Sequence, residues 1–116
     1  MKNTLTVKAS LIAFLACTGL FAQSITLTGK VTDSLKNPLD VANVVAVNQK
    51  DQSLEAFGIT NPQGEYKLNL KANNSYKIKF SYLGFAPKEF PITTTDQDLI
   101  LNVVLEEATQ NLDEVE

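Results

Sequence analysis

From Ile25 to Leu105 apolar side chains recur at alternate positions, and no window carries a helical period. Tyr76, Ile78, Phe80 and Tyr82 alternate with Lys77, Lys79 and Ser81, as in a strand with one face buried and one in water. Ile25, Leu27 and Val31 follow the same rule, as do Tyr66, Leu68 and Leu70, and Leu99, Leu101, Val103 and Leu105. Residues 41–47 are apolar on both faces and read as a central strand. Residues 54–60 form a weaker candidate. Residues 88–93 read as an edge strand, because Pro87 and Pro91 supply no backbone donor. Turn-rich segments separate these runs. Asn61-Pro62-Gln63-Gly64, for example, has Pro and Gly where a type I turn takes them.

Strands therefore begin near residues 25, 41, 54, 65, 76, 88 and 99, at a spacing of about eleven. No gap is long enough for the helix that a parallel crossover needs. The pattern predicts an all-β fold, a small seven-stranded antiparallel β-sandwich with two apolar inner faces.

The chain ahead of these strands has another character. Lys2 and Lys8 precede an apolar run over residues 11–21, and the first carboxylate is Asp33. This is the order of an export signal, too short for a membrane-spanning helix of about 20 residues. Cleavage fits between Ala22 and Gln23; processing as a lipoprotein at Cys17 is a poorer fit to its surroundings. The expected organisation is a signal peptide at 1–22, a sandwich at 23–106 and an acidic linker or tail at 107–116.

Of 116 residues, the 94 after the leader hold eight lysines and thirteen carboxylates, a net charge of −5. There is no Arg, His or Trp, and Cys17 falls within the leader. An acidic, Arg-free chain is a poor partner for nucleic acid. Without imidazole or thiol, Ser-His and Cys-His nucleophiles, His/Cys metal sites and disulfides are excluded from the exported part. No cofactor is expected.

The segment Gly29-Lys-Val-Thr-Asp33, followed by Pro38-Leu39 and Ala42-Asn-Val44, resembles the opening of a carboxypeptidase-regulatory-like domain, a transthyretin-type (prealbumin-like) sandwich. Thr60-Asn61-Pro-Gln-Gly64-Glu-Tyr66 is similar to that family's T-D-x-x-G-x-F/Y hairpin, with Asn61 in place of Asp. Ser81-Tyr82-Leu83-Gly84-Phe85 resembles its S-Y-I-G-Y element. Leu112-Asp113-Glu114-Val115 resembles the L-D-E-V segment that joins such a sandwich to the plug of TonB-dependent outer-membrane receptors of Bacteroidota.

The resemblance implies a non-catalytic module at the N-terminus of such a receptor, exported to the periplasmic side of the outer membrane. It would scaffold or mediate contacts in substrate uptake. Its implied partners are the TonB energy-transduction system, or the receptor's plug and barrel, reached through Leu112, Asp113, Glu114 and Val115. Gly29, Asp33, Pro38, Asn61, Gly64, Tyr82, Gly84 and Phe85 are then expected to specify the fold rather than form a site. Two other settings fit the same residues: a free-standing periplasmic binding module, and an accessory domain of a metallopeptidase. The carboxylate pairs Asp96/Asp98 and Glu106/Glu107 are the residues nearest to a catalytic pattern. Both lie at strand boundaries without apolar surroundings to raise a pKa, and read as solvated charge.

Overall fold

The computed structural model describes residues 23–108; residues 1–22, where an export signal ending at Ala22 is expected, and the segment Leu112, Asp113, Glu114 and Val115 lie outside the described residues. Eight strands run in order: β1 (Ser24–Thr32), β2 (Asn43–Asn48), β3 (Leu54–Ile59), β4 (Glu65–Lys71), β5 (Ser75–Ser81), β6 (Lys88–Thr93), β7 (Leu99–Ile100) and β8 (Val103–Val104). They form two four-stranded sheets. One has the order β4-β1-β7, with β8 also paired to β1, and the other is β3-β2-β5-β6.

Alternation decides which side chains meet between the layers. Ile25, Leu27 and Val31 of β1 and Tyr66, Leu68 and Leu70 of β4 face Val44 and Ala46 of β2 and Tyr76, Ile78 and Phe80 of β5, all buried. The Phe80 ring sits edge-on between Tyr66 and Phe90, at centroid distances of 5.3 and 5.8 Å. Burying one such side chain contributes about 1.5–3 kcal/mol. As Pro87 and Pro91 suggested, β6 is an edge strand, and Pro91 lies opposite Lys77.

Two expectations need correcting. The last apolar run is not one antiparallel strand. It lies parallel to β1 and is split into β7 and β8, which makes eight strands. The split has a local cause. The Leu101 amide still donates to the Thr28 carbonyl at 2.8 Å, but the Leu101 carbonyl faces Gly29 and accepts the Tyr66 hydroxyl at 2.6 Å, so residue pairing with β1 lapses at Leu101 and Asn102. The register survives the break, since Leu27 pairs with Leu99 and Val31 with Val103. The second correction concerns the central strand. It starts at Asn43, because Val41 is 61% exposed and adopts φ 66°, a left-handed conformation outside any strand.

Candidate interaction surface

The register brings the motif segments to one end of the sandwich. β1 arrives there at Lys30 opposite Glu65, β3 at Ile59 opposite Asn43, and β5 at Ser81 opposite Asn43. The loops after these strands carry residues 33–42, 60–64 and 82–86, so motifs far apart in sequence become neighbours.

Gly29 stands where β1 passes the Leu101 carbonyl. A Cβ there would lie 1.8 Å from that oxygen and 2.9 Å from the Tyr66 ring. Gly64 has φ 78°, and a Cβ on it would sit 2.6 Å from the Val31 carbonyl oxygen and 3.1 Å from Pro38. Backbone bonds tie the same pieces together: the Val31 amide donates to the Gly64 carbonyl at 2.8 Å, and the Leu39 amide to the Val31 carbonyl at 3.0 Å. Pro38 forms an isolated bridge with Thr32.

Side chains complete the turns. The Asp33 carboxylate accepts the Leu35 amide at 2.9 Å and the Asn37 amide and side chain at 2.8 and 3.1 Å. The Asn37 backbone bond leads in holding its carboxyl below the usual aspartate range. Asn61 Oδ1 accepts the Gln63 and Glu65 amides at 3.0 and 2.9 Å, and its Nδ2 donates to Glu65 Oε1 at 3.2 Å. That last bond gives Asn a role an ionised Asp could not fill, since a carboxylate has no N–H to offer Glu65. Gly84 has φ 85° with nothing within 4 Å of a built Cβ, so only its backbone conformation calls for glycine. Tyr82 and Phe85 are half-buried and pack edge to face, 5.3 Å apart.

Sequence reasoning missed three residues with structural work to do. Thr60 is buried; its hydroxyl accepts the Ala42 amide at 2.8 Å and donates to the Leu39 carbonyl at 2.6 Å. Asp98 and Asn102 flank β7, and their side-chain oxygens accept the Thr26 and Lys30 amides at 2.8 and 3.0 Å. Their four-residue spacing matches that of the two amides, a signal readable only once a parallel neighbour to β1 is known. Asp98, read from sequence as half of a solvated pair, thus completes a sheet edge.

The chain leaves the sandwich at this same end. Glu107 bridges Phe85, the Ala86 amide donates to the Glu106 carbonyl at 2.8 Å, and the Ala108 amide to the Gly84 carbonyl at 2.9 Å. Hydrogen-bonded structure therefore reaches Ala108, two residues past the break placed after Glu106. At the opposite end β1 begins at Ser24, and the Gln23 carbonyl already accepts the Ala72 amide at 2.9 Å. Among the described residues no three His, Cys, Asp or Glu side chains are grouped to hold a metal ion.

A family model described as "CarboxypepD_reg-like domain" matches residues 27–116. The TonB-dependent receptor SusC of Bacteroides thetaiotaomicron is 34% identical over 95 residues, which cover 82% of this chain and 8% of the receptor. The chain thus spans less than a tenth of the curated relative it matches. Among solved structures, the Bacillus anthracis TIE protein superposes with a TM-score of 0.62 at 17% identity, covering 73% of this chain and 17% of that one. Chlorocatechol 1,2-dioxygenase from Pseudomonas putida gives 0.60 at 12%, covering 76% and 62%. At such identities these two show a shared sandwich and nothing of chemistry.

Proposed function

This chain belongs to the carboxypeptidase-regulatory-like domain family, and from that premise we propose that it serves as the N-terminal, periplasmic-side module of a TonB-dependent outer-membrane receptor. The observation that carries the proposal is the 34% identity to SusC across 82% of this chain. The module is non-catalytic in this reading. Its nearest approach to a catalytic pair has Asp98 committed to the Thr26 amide, and its motif residues hold turns together.

Its work is mechanical. Residues 1–22 direct export and are removed between Ala22 and Gln23, one residue before β1 begins. The folded sandwich then anchors Ala108, and the acidic segment containing Leu112, Asp113, Glu114 and Val115 leads on toward the TonB-contacted part and the plug. A stiff body at the base of a short linker limits where that linker can go.

An epitope inserted after Gln23 at the native locus tests the proposal. The expected result is a receptor-length band in the outer-membrane fraction, with Gln23 at the processed N-terminus, and slower TonB-dependent uptake when residues 24–108 are deleted. A band no longer than the present chain, in the soluble periplasm, would support a free-standing binding module instead. A receptor-length band with unimpaired uptake would remove the role and leave the address.

A further inference from the structure

A sheet edge left without protection recruits further strands, and among the described residues three of the four edges are guarded. On β6, Thr94 bonds Asn74 across the ladder to β5, so the odd-numbered positions point outward, and Pro91 has no amide to offer there. The edge formed by β7 and β8 is interrupted, with two residues in each piece. β4 alternates Glu65, Lys67 and Lys71 along its exposed side, and its Lys67 carbonyl lies 3.3 Å from a Cβ built on Gly58 of β3. β3 differs from all of these. It has neither lysine nor proline, and its one acid, Glu55, sits at the bulged start of the strand, paired with Lys71 at 3.6 Å. Register shows what this edge offers. The Thr60 amide donates to the Ala42 carbonyl, which puts Gly58 and Ala56 in bonding phase with Val44 and Ala46. The amides and carbonyls of Phe57 and Ile59 therefore point away from β2, where no strand pairs with them. Leu54, Phe57 and Ile59 are all exposed, on the outer face beside Val47, Val45 and Asn43.

At its Ile59 end the edge opens into a groove of about 610 Å³. The charged residues lining it are Lys30, Lys67 and Glu65, with Asn61 beside them. Glu65 accepts a bond from Asn61 Nδ2, whereas neither lysine joins any ion pair among the described residues. We propose that β3 is a docking edge for an extended, acidic segment of a partner protein, which adds as a fifth strand to the sheet β3-β2-β5-β6. Its backbone bonds Phe57 and Ile59, its apolar side chains lie along theirs, and a carboxylate enters the groove that holds Lys30 and Lys67. A second copy of this chain does not meet that description, because the only acid of its β3 is the Glu55 already paired with Lys71. The docking edge belongs to the sandwich itself and does not depend on the receptor reading.

The probe is a capped synthetic heptapeptide of alternating valine and glutamate, added to the purified 23–116 chain. Amide hydrogen exchange, read residue by residue, should slow about tenfold at Phe57 and Ile59 with saturating peptide. It should hardly change at Gly58, whose amide β2 already holds. Protection confined to other strands, or none at millimolar peptide, would overturn the docking edge. The analogue with lysine in place of glutamate should bind at least threefold more weakly, and Lys67→Gln should weaken the glutamate peptide by about the same factor. No change from either substitution would overturn the acidic segment. Ile59→Pro removes an outward donor on an edge strand, where proline is tolerated, and should abolish protection at Phe57 while the fold persists. Lys67→Gln, at an exposed position, decides the matter should the proline variant fail to fold. Protection at Phe57 and Ile59 that rises with chain concentration and needs no peptide would overturn the proposal in favour of a second copy.

Discussion

The two ends of this sandwich use similar parts at very different density. Each has one buried threonine whose hydroxyl both accepts and donates. Thr60 bridges the Ala42 amide and Leu39 carbonyl, and Thr94 accepts the Asn74 amide at 2.9 Å and donates to the Lys71 carbonyl at 2.6 Å. Each has a tyrosine hydroxyl serving the backbone: Tyr66 donates to Leu101, and Tyr76 accepts the Lys71 amide at 3.1 Å. Each has an aspartate closing its own turn, Asp33 at one end and Asp51 at the other. What the end near Ala108 adds is Gly29 and Gly64, with backbone packed where their side chains would be. The polar contacts could be supplied by many sequences. Two strand passages closer than a Cβ allows could not, so that end is held to one geometry.

If that is the difference, Gly29→Ala has the largest effect available from one methyl group. The Cβ would overlap the Leu101 carbonyl oxygen, so β1 and β7 must part or the Tyr66 hydroxyl must lose its acceptor. We expect a loss of about 3 kcal/mol in urea unfolding of the 23–116 chain. Gly64→Ala, hindered by both φ and contact, should fall near it. Gly84→Ala, with a left-handed backbone but open space, should cost only about 1 kcal/mol. Equal losses at positions 29 and 84 would mean that close passage is not what distinguishes this end.

The threonines test the shared parts. Thr60→Val and Thr94→Val keep the shape but leave a buried donor and acceptor unpaired, so each should cost about 2 kcal/mol. A marked inequality would show that the ends differ in polar contacts as well as in glycine contacts. The tyrosines come next. Tyr66→Phe and Tyr76→Phe each remove one backbone partner while keeping the ring, for about 1 kcal/mol apiece. Tyr66→Phe should be close to silent in a Gly29→Ala background if both act through the Leu101 carbonyl.

Most of the layer structure was legible because alternation is a direct record of two-sided burial. Tyr76, Ile78 and Phe80 could only face inward once Lys77 and Lys79 faced water. The split between β7 and β8 was not legible. Its cause is the absent side chain of Gly29, more than seventy residues away in sequence, and alternation continues straight through it at Leu99, Leu101 and Val103. Val41 misled for a related reason. An apolar β-branched residue beside Ala42 and Val44 reads as strand, while its conformation is set by loop contacts around Thr60. Motif residues could be picked out by resemblance, but their gathering at one end is a property of strand register, which no single motif encodes. The bonds made by Thr60 and Asp98 were not legible, because a threonine or aspartate in a strand-and-turn sequence is ordinary until its partner amide is located.

The smallest effect compares the two turn aspartates by pH. Hydrogen bonds from the Asn37 amide first, then the Asn37 side chain and Leu35 amide, lower the pKa of Asp33; for Asp51 the lowering comes first from the Ser53 hydroxyl and then its amide. A carboxyl whose folded pKa lies below its unfolded value of about 4 stabilises the fold fully above that value and loses this as pH falls through the folded pKa. Both groups sit in water, where screening keeps such contributions small. Asp33→Asn and Asp51→Asn retain an acceptor oxygen but remove the charge. Each should flatten the acid side of the stability profile below about pH 4 and leave its neutral plateau only slightly lowered. Asp33 binds three donors and Asp51 two, so the Asp33 variant should flatten it more. The reverse order in urea midpoints measured across that range would place the tighter turn at the end away from Ala108, and the parallel drawn between the two aspartates would fail.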